Sequence, residues 1–377
     1  MNRSRLPVLI AVLFAVVVLV VGVLVILREN RAPAALQQLV CLGGSEKSAL
    51  MDDPEVRAVL RDEYGLEVRF DKRGSYDLVQ LPTDQLRAQR IDCLWPSSAS
   101  ARSIFEEEHD LTDFPDYRAE AVLETPEVIY AGAAATDALV RAGIVALRDN
   151  AYYVVDFKRL LLEYVLPERR WEDLGTTNPA GPVRITSTDP QSSNSGFTLL
   201  QLELTVVASG DVFQPPTVAE ARAGLPTVRG LYDAQGLQSD SSDGGFREWL
   251  VQGATSLYAG YENQVLQQLV AYRDDAASTG ELLAKTRLLY PDPTIFNSNP
   301  LLTLTASAHP LITALRDPAI QDIAWKRYGF RSATQLGAAD TADFAQIPLA
   351  AHPRAIAPPR ADVTRLLLAC VRDGQCS

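Results

Sequence analysis

Three short segments carry residue types that could hold an oxyanion or a carboxylate: Gly44-Ser45-Glu46-Lys47-Ser48, Pro96-Ser97-Ser98-Ala99-Ser100 and Ser192-Ser193-Asn194-Ser195-Gly196. Each lies between an apolar run and an amphipathic one, so each reads as a strand–loop–helix junction. The first amides of a helix have no intrahelical acceptor and carry partial positive charge. Small hydroxylated side chains beside them add donors without blocking a ligand. Ser45, Ser48, Ser97, Ser98, Ser193, Asn194 and Ser195 are therefore the candidate ligand-binding residues, and Lys47 would add a full positive charge. The competing reading is that Ser and Asn are ordinary N-caps and that Lys47 pairs with an acid such as Glu46 or Asp52. The recurrence carries the argument: three such loops follow predicted parallel strands, and open α/β sheets bind ligands at the C-terminal ends of their strands.

Tyr130, Tyr261 and Tyr290 lie near predicted strand ends or in the 246–273 segment and read either as cleft aromatics or as core. Glu262, next to Tyr261, would suit a cationic ligand or a metal ion if it faced the cleft, which conflicts with the anion reading. The tract Ser239-Asp240-Ser241-Ser242-Asp243-Gly244-Gly245 reads as a surface loop, a lid or a cation-binding loop. The only histidines are His109, His309 and His352, none at metal-ligand spacing with another His or a Cys pair. There is no G-x-S-x-G elbow, Walker A loop or G-x-G-x-x-G turn. No motif argues for an enzyme, a cofactor or a metal centre.

The elements that must position these residues alternate. Strands are predicted at 37–42, 66–70 and 91–95, with helices between them, the first ended by Gly65. This rhythm predicts a parallel sheet flanked by helices. A further strand at 126–132 leads into helical stretches near 134–147 and 155–164. A second half repeats the grammar: a strand at 183–188, a small-polar loop, then an apolar helix at 197–209. Residues 246–273 read as helical, 284–290 as a returning strand, 310–328 and 361–371 as helices. No fixed-period repeat is visible.

The 377 residues are 47% apolar and 22% charged, with a net charge of -12. This is ample apolar material for a core, and the length suits two domains or two lobes. The apolar residues are concentrated at 7–27, a stretch of 21 without charge, enough to span a hydrocarbon core of ~30 Å. Arg3 and Arg5 precede it, which predicts a cytoplasmic 1–6, an uncleaved transmembrane signal anchor at 7–27 and a tether at 28–36. The alternative is a cleaved signal peptide, but the run is long and no small-x-small site follows. Residues 1–31 carry four arginines and one glutamate, so the remaining 346 residues carry -15. Such acidity excludes nonspecific nucleic-acid binding and a polybasic membrane-surface role. Of four cysteines, Cys370 and Cys376 flank a turn-forming Asp373-Gly374, and an exterior compartment would allow them to pair. Cys41 and Cys93 either pair or serve as two small buried apolar residues.

In its order of elements the chain resembles the bacterial extracellular solute-binding proteins of the type II periplasmic-binding fold, in particular the subgroup found membrane-anchored or beside von Willebrand type A domains. The resemblance rests on LVCLGGSEKS (Leu39–Ser48), DCLWPSS (Asp92–Ser98) and ITSTDPQSSNSGF (Ile185–Phe197), with support from Tyr261-Glu262-Asn263 and LLYPD (Leu288–Asp292). It implies two α/β lobes, each a mainly parallel sheet flanked by helices. Lobe 1 would be 37–126 plus 291–377 and lobe 2 would be 134–283, with hinge crossings at 127–133 and 284–290. It further implies a small polar or anionic solute, such as an oxyanion, clasped by hinge closure, a transporter or other envelope protein as partner, and no cofactor. By position Ser45 and Ser48, Ser97 and Ser98, and Ser193, Asn194 and Ser195 match ligand contacts. The extra Glu46 and the last fifty residues depart from the pattern, so ligand identity does not carry over. The alternative is an envelope interaction or sensor module that uses the same fold for docking.

Overall fold

The computed structural model describes residues 36–209, 211–236, 238–252, 257–334 and 339–377. The predicted anchor at 7–27 lies outside these residues. Among the described residues no helix is long and apolar enough to cross a membrane.

The strands are β1 (Gln37–Gly43), β2 (Leu66–Lys72), β3 (Cys93–Trp95), β4 (Arg118–Ala121), β5 (Leu123–Ala131), β6 (Val145–Arg148), β7 (Tyr152–Val155), β8 (Ile185–Thr186), β9 (Leu257–Tyr261), β10 (Arg287–Pro291), β11 (Thr294–Asn297), β12 (Pro300–Thr303), β13 (Arg331–Ser332) and β14 (Ala355–Ile356). The helices that matter for the site are α1 (Pro54–Tyr64), α2 (Ser75–Val79), α3 (Ala99–Glu108), α4 (Asn194–Ala208), α5 (Val218–Gln235), α6 (Ser242–Val251), α7 (Glu262–Ala271), α8 (Pro318–Tyr328) and α9 (Ala361–Asp373).

The first sheet has the order β2-β1-β3-β12-β4. Its β2-β1-β3 half is parallel, while β12 runs antiparallel to both β3 and β4. Cys41 and Cys93 face each other in the β1–β3 register and form a disulfide. Cys370 and Cys376 form a second one across the end of α9.

The second sheet is built around β5. Leu123 and Glu124 pair with β13, Thr125 and Pro126 with β11, residues 127–130 with β9, and 129–131 with β10, all antiparallel. Parallel pairing is confined to β8–β9, β10–β7 and β11–β14. The second sheet is thus mixed, whereas a mainly parallel one was expected. The predicted crossings at 127–133 and 284–290 fall on β5 and β10, which pair directly.

Two sequence expectations fail locally. Residues 246–273 contain β9, a strand of Leu, Tyr, Ala and Gly buried at every position. A strand buried on both faces has no period-2 alternation to reveal it. Likewise β6 and β7 form a hairpin where helix and loop were expected. Its turn places Asp149 and Asn150 at φ of 53° and 52°, and both residue types tolerate the left-handed region that a tight hairpin turn needs.

Helix α4 organises the core. Every residue from Asn194 to Val206 is buried. Phe197, Leu200 and Leu204 enter a cluster with Leu42 and Leu94 of the first sheet, Tyr76, Ile104 and Phe105, and with Leu225 and Val228 of α5 and Leu367 of α9. Leu199, Leu202 and Val206 enter a second cluster with Ile129, Leu257 and Leu289 of the second sheet. One helix therefore fills the core on both sides. Its polar residues are mostly satisfied inside: Gln201 donates to Ser100 Oγ at 2.9 Å and Thr205 to the Gln201 carbonyl at 2.8 Å.

Because both sheets lean on α4, we predict that Phe197→Ala costs about 3–5 kcal/mol and that the chain still unfolds in one transition. Denaturant unfolding followed by fluorescence of Trp95 beside the first sheet and of Trp171 beside the second should give coincident midpoints. Two separated transitions would show that the halves are independent.

Candidate functional site: a serine-lined cleft

Three junctions meet at one cleft of about 710 Å³. From the β1 loop come Gly44, Ser45 and Glu46, from the β3 loop Ser97, and from the β8–α4 loop Asp189, Ser192, Ser193 and Asn194. Two further segments contribute: Gly74-Ser75 at the start of α2 and the Ser241–Gly244 tract at the start of α6. The floor is the buried part, with Ser75, Ser97, Ser193, Asn194 and Ser242. The rim is exposed and carries Lys72, Asp77, Asp240 and Arg247.

The loops close in because glycine permits it. A Cβ on Gly196 would lie 1.9 Å from the Thr188 carbonyl oxygen, and one on Gly74 would lie 2.4 Å from that of Ser192. The first contact folds the β8–α4 loop onto its own strand. The second brings the loop after β2 against the loop before α4, across the cleft.

The floor is held by a network of neutral dipoles. Ser98 caps α3 and donates to Asn194 Oδ1 at 2.6 Å. Asn194 Nδ2 donates to Asn297 Oδ1 at 2.7 Å and to Tyr261 Oη at 3.0 Å. Thr188 Oγ1 bonds Ser193 and Ser195 at 2.8 and 2.7 Å and accepts from the Gly196 amide at 2.9 Å. Ser242 bonds Ser193 and Ser195 at 3.2 and 2.9 Å. The hydroxyls of Ser45 and Ser192 have no partner among the described residues and stay available. Asn194 and Ser195 are the first residues of α4, so by position their amides lack an intrahelical acceptor.

Lys47 does not face the cleft. It is fully buried, and its three N–H donors go to Glu46 Oε1 at 2.5 Å, Ser97 Oγ at 3.0 Å and Asn299 Oδ1 at 3.0 Å, beside the Trp95 ring. The positive charge expected for a ligand is consumed by Glu46. Burial pushes the Glu46 carboxyl up, but the Lys47 ammonium and the bond from Ser97 hold it below its ordinary value. Ser48 begins a short helix and does not line the cleft, and Ser98 and Ser195 lie one layer behind it.

The aromatic candidates are structural in placement. Tyr130 Oη donates to the Tyr261 carbonyl and its ring packs among Phe246, Trp249 and Tyr258. Tyr261 does not line the cleft but meets two floor residues, Asn194 and Ser242, through its hydroxyl. Glu262 does not line the cleft: Arg331 grips it in bidentate fashion at 2.7 and 2.8 Å, and Tyr290 donates to it. Arg331 also donates to the carbonyls of Ala350 and Ala351, tying α7 to the last part of the chain. Among the described residues no group of three or more His, Cys, Asp or Glu is placed to hold a metal ion.

Sequence reasoning missed Gly74-Ser75, although Lys72-Arg73-Gly74-Ser75 has the same strand-to-helix grammar as the other junctions. It also missed Asn297 and Asn299 in the β11–β12 turn, where Asn299 takes φ of 38°. The tract 239–245, open between three readings, places Ser241 as the cap of α6 and Ser242 on the cleft floor.

No protein-family model and no curated protein matches the chain. Solved structures do. The sulfate-binding protein SubI from Mycobacterium tuberculosis H37Rv is 16% identical, covers 90% of this chain and 99% of its own, and superposes with a TM-score of 0.51. The ferric binding protein from Campylobacter jejuni is 11% identical over 89% of this chain and 99% of its own, with a TM-score of 0.55. The apo ferric ion-binding protein A from Pasteurella haemolytica is 12% identical over 89% and 96%, with a TM-score of 0.52. The fold is that of the type II periplasmic solute-binding proteins. At these identities the likeness concerns the fold alone.

Three variants test this account of the site. Lys47→Met leaves Glu46 buried and unpaired and should cost about 3–5 kcal/mol, while adding Glu46→Gln should restore part of it, read by chemical denaturation. Glu127 on β5 is buried, accepts from Asn297 Nδ2 at 3.2 Å, and burial pushes its carboxyl well above the ordinary 4.5. The folded state thus holds that proton more tightly than the unfolded state. Its contribution to stability is complete below the ordinary value and is lost as pH rises through the raised one. Glu127→Gln should flatten that fall in a stability–pH profile, and an unchanged slope would assign the fall elsewhere.

Proposed function

We propose that the chain is an extracytoplasmic solute-binding protein, held at the membrane by segment 7–27, that binds a small polar solute in the serine-lined cleft. The observation that carries this reading is the convergence of Ser45, Ser97, Ser193 and Asn194 from three separate strand–loop–helix junctions onto one cleft. Two N-termini of longer helices, α4 and α6, open there, and the free hydroxyls of Ser45 and Ser192 stand beside them. Such a floor favours an oxyanion or carboxylate through dipoles rather than formal charge.

The rim refines the solute. Lys72, Arg73 and Arg247 face Asp77, Asp189, Asp240 and Asp243 around the cleft, and Arg247 is paired with Asp243. Asp77 is paired with Arg372, so a bare multiply charged anion would meet Asp189 and Asp240 on its way in. A solute with an anionic group at one end and hydroxyls or an ammonium at the other would satisfy both floor and rim, as a sugar phosphate or an amino acid does. No covalent step is required of any residue.

Hinge closure is constrained. Separating the two sheets fully would pull α4 out of one of its cores and expose Phe197, Leu200 and Leu204 or their opposite numbers, at ~1.5–3 kcal/mol per side chain. We therefore favour admission through the rim, with movement of the 239–245 tract and the loop at 72–75. A transporter, or another envelope protein, would then read the occupied rim.

The test is native mass spectrometry of the protein purified without refolding, followed by thermal shift with phosphate, sulfate, glycerol 3-phosphate, serine and glucose. We expect stabilisation by the bifunctional probes above that by sulfate or glucose. With the best probe, Ser45→Ala and Ser192→Ala should each weaken binding roughly tenfold, as loss of a hydrogen bond to a charged group does. Unchanged affinity in both variants would remove the cleft as the site. No bound solute and no stabilisation by any probe would favour the docking reading.

A further inference from the structure

A second cavity, of about 310 Å³, lies away from the cleft in the half of the molecule built on the second sheet. Its walls are α4, α5, the turn at 160–166 and the approach to β8. The lining is apolar on most sides, with Val165, Leu166, Ile185, Pro226, Leu231 and Ala234. At its inner end is Glu203, 1% exposed, on the second-sheet side of the buried helix α4. Glu203 Oε2 is buried and has no hydrogen-bond partner. An unpaired carboxyl in an apolar wall is costly to maintain, and no packing role in α4 requires one: Leu199, Leu202 and Val206 do that work alongside it. The other charged groups lining the cavity are Glu168 from the end of the turn and Arg184 before β8, both exposed at the mouth. None comes from α5, which contributes Thr227 and Gln235 as its polar groups.

We propose that this cavity is a second ligand site, for a small aliphatic amine whose ammonium pairs with the Glu203 carboxylate and whose hydrocarbon body lies on Val165, Leu166, Ile185 and Leu231. The cavity lies at the small end of the ligand-pocket range, ~300–1,000 Å³, which suits a short chain. A buried carboxylate that lacks any protein cation gains most from one supplied by a ligand. The mouth, with one acid and one base, neither attracts nor repels a monocation strongly. Burial pushes the Glu203 carboxyl up to about 8, so at neutral pH it enters the reaction protonated. Binding of an ammonium is then coupled to release of that proton: the carboxyl O–H breaks, the proton leaves to buffer, and the carboxylate pairs with the ammonium. Affinity should rise with pH up to about 8 and level off until the amine itself loses its charge.

The test uses the full-length protein and n-butylamine, titrated calorimetrically at pH 7 in two buffers of different ionisation enthalpy. Expected are saturable binding with close to one proton released per amine, weaker binding at pH 6 and tighter binding at pH 8. Butan-1-ol and butanesulfonate should bind at least tenfold more weakly. Glu203→Gln should abolish the proton release and the pH dependence. Ala234→Trp, which fills the cavity from its mouth without touching the carboxyl, should block binding in a protein whose melting temperature is retained. Absence of saturable butylamine binding overturns the proposal, as does binding that survives both variants or is matched by butan-1-ol.

Discussion

The burial of one helix on all sides is the constraint from which the rest of the molecule follows. Residues 194–206 have no solvent-facing side, so Leu and Phe fill both cores while Asn194, Thr198, Gln201 and Thr205 must find their hydrogen-bond partners inside. Because it fills both cores, its N-terminus is fixed relative to both sheets at once. That N-terminus is Ser193-Asn194-Ser195, and the loops after β1, β2 and β3 are thereby held at set positions around it. Preorganisation of this kind lowers the ordering cost of binding, since donors held in place by packing need not be immobilised by the ligand. The same constraint makes wide opening expensive.

The second organising feature is how charge is removed from the interior. The portion after residue 31 carries -15, so its long-range field repels anions. Two tight pairs cancel charge in the interior, Glu46 with Lys47 and Glu262 with Arg331. Both pairs join segments far apart in sequence: Lys47 reaches Asn299, and Glu262 reaches Arg331, which in turn bonds Ala350 and Ala351. Breaking either would leave a lone charge in low dielectric, so they specify how the chain closes rather than how it binds. In the proposed function, recognition in the cleft would fall to neutral donors, which is compatible with an acidic exterior.

Much of this was legible in the sequence, and what was not has physical causes. The strands β1 and β2 were visible because they lie between clear punctuation: Gly43-Gly44 after the first, Gly65 before the second. The three serine-rich junctions were visible because small polar residues between an apolar strand and a helix have few other uses. The strand β9 was hidden because it is buried on both faces and is flanked by helices whose apolar periodicity runs into it. The β6–β7 hairpin was hidden because its turn uses Asp149-Asn150 rather than a glycine. Lys47 illustrates a different limit. Sequence shows Glu46 beside it, but helical and loop geometries place neighbours on different faces, and only the fold reveals that the two side chains turn together under Trp95. Arg331 could not be linked to Glu262 at all, since nothing local marks a contact across 69 residues.

The polar chain behind the cleft shows how these parts depend on one another. Glu127, on the strand that pairs with four others, accepts from the amide of Asn297. That bond fixes which way the Asn297 amide points, so its oxygen faces Asn194 Nδ2 and Thr198 Oγ1, at 2.7 and 2.9 Å. Asn194 in turn must aim its oxygen at Ser98, the cap of α3. A flip of the Asn194 or Asn297 amide sets acceptor against acceptor or donor against donor, so the orientation at one end dictates the orientation at the other. Asn299 extends the line to the first loop, donating to the Asn297 carbonyl at 2.9 Å while accepting from Lys47. The floor of the cleft is therefore a single hydrogen-bonded unit spanning the β1, β3 and α4 junctions and anchored on β5. A change at Asn297, which does not line the cleft, should disturb binding there through orientation rather than contact, because it removes the acceptor that Asn194 and Thr198 share and leaves Asn194 to Ser98, Thr198 and Tyr261.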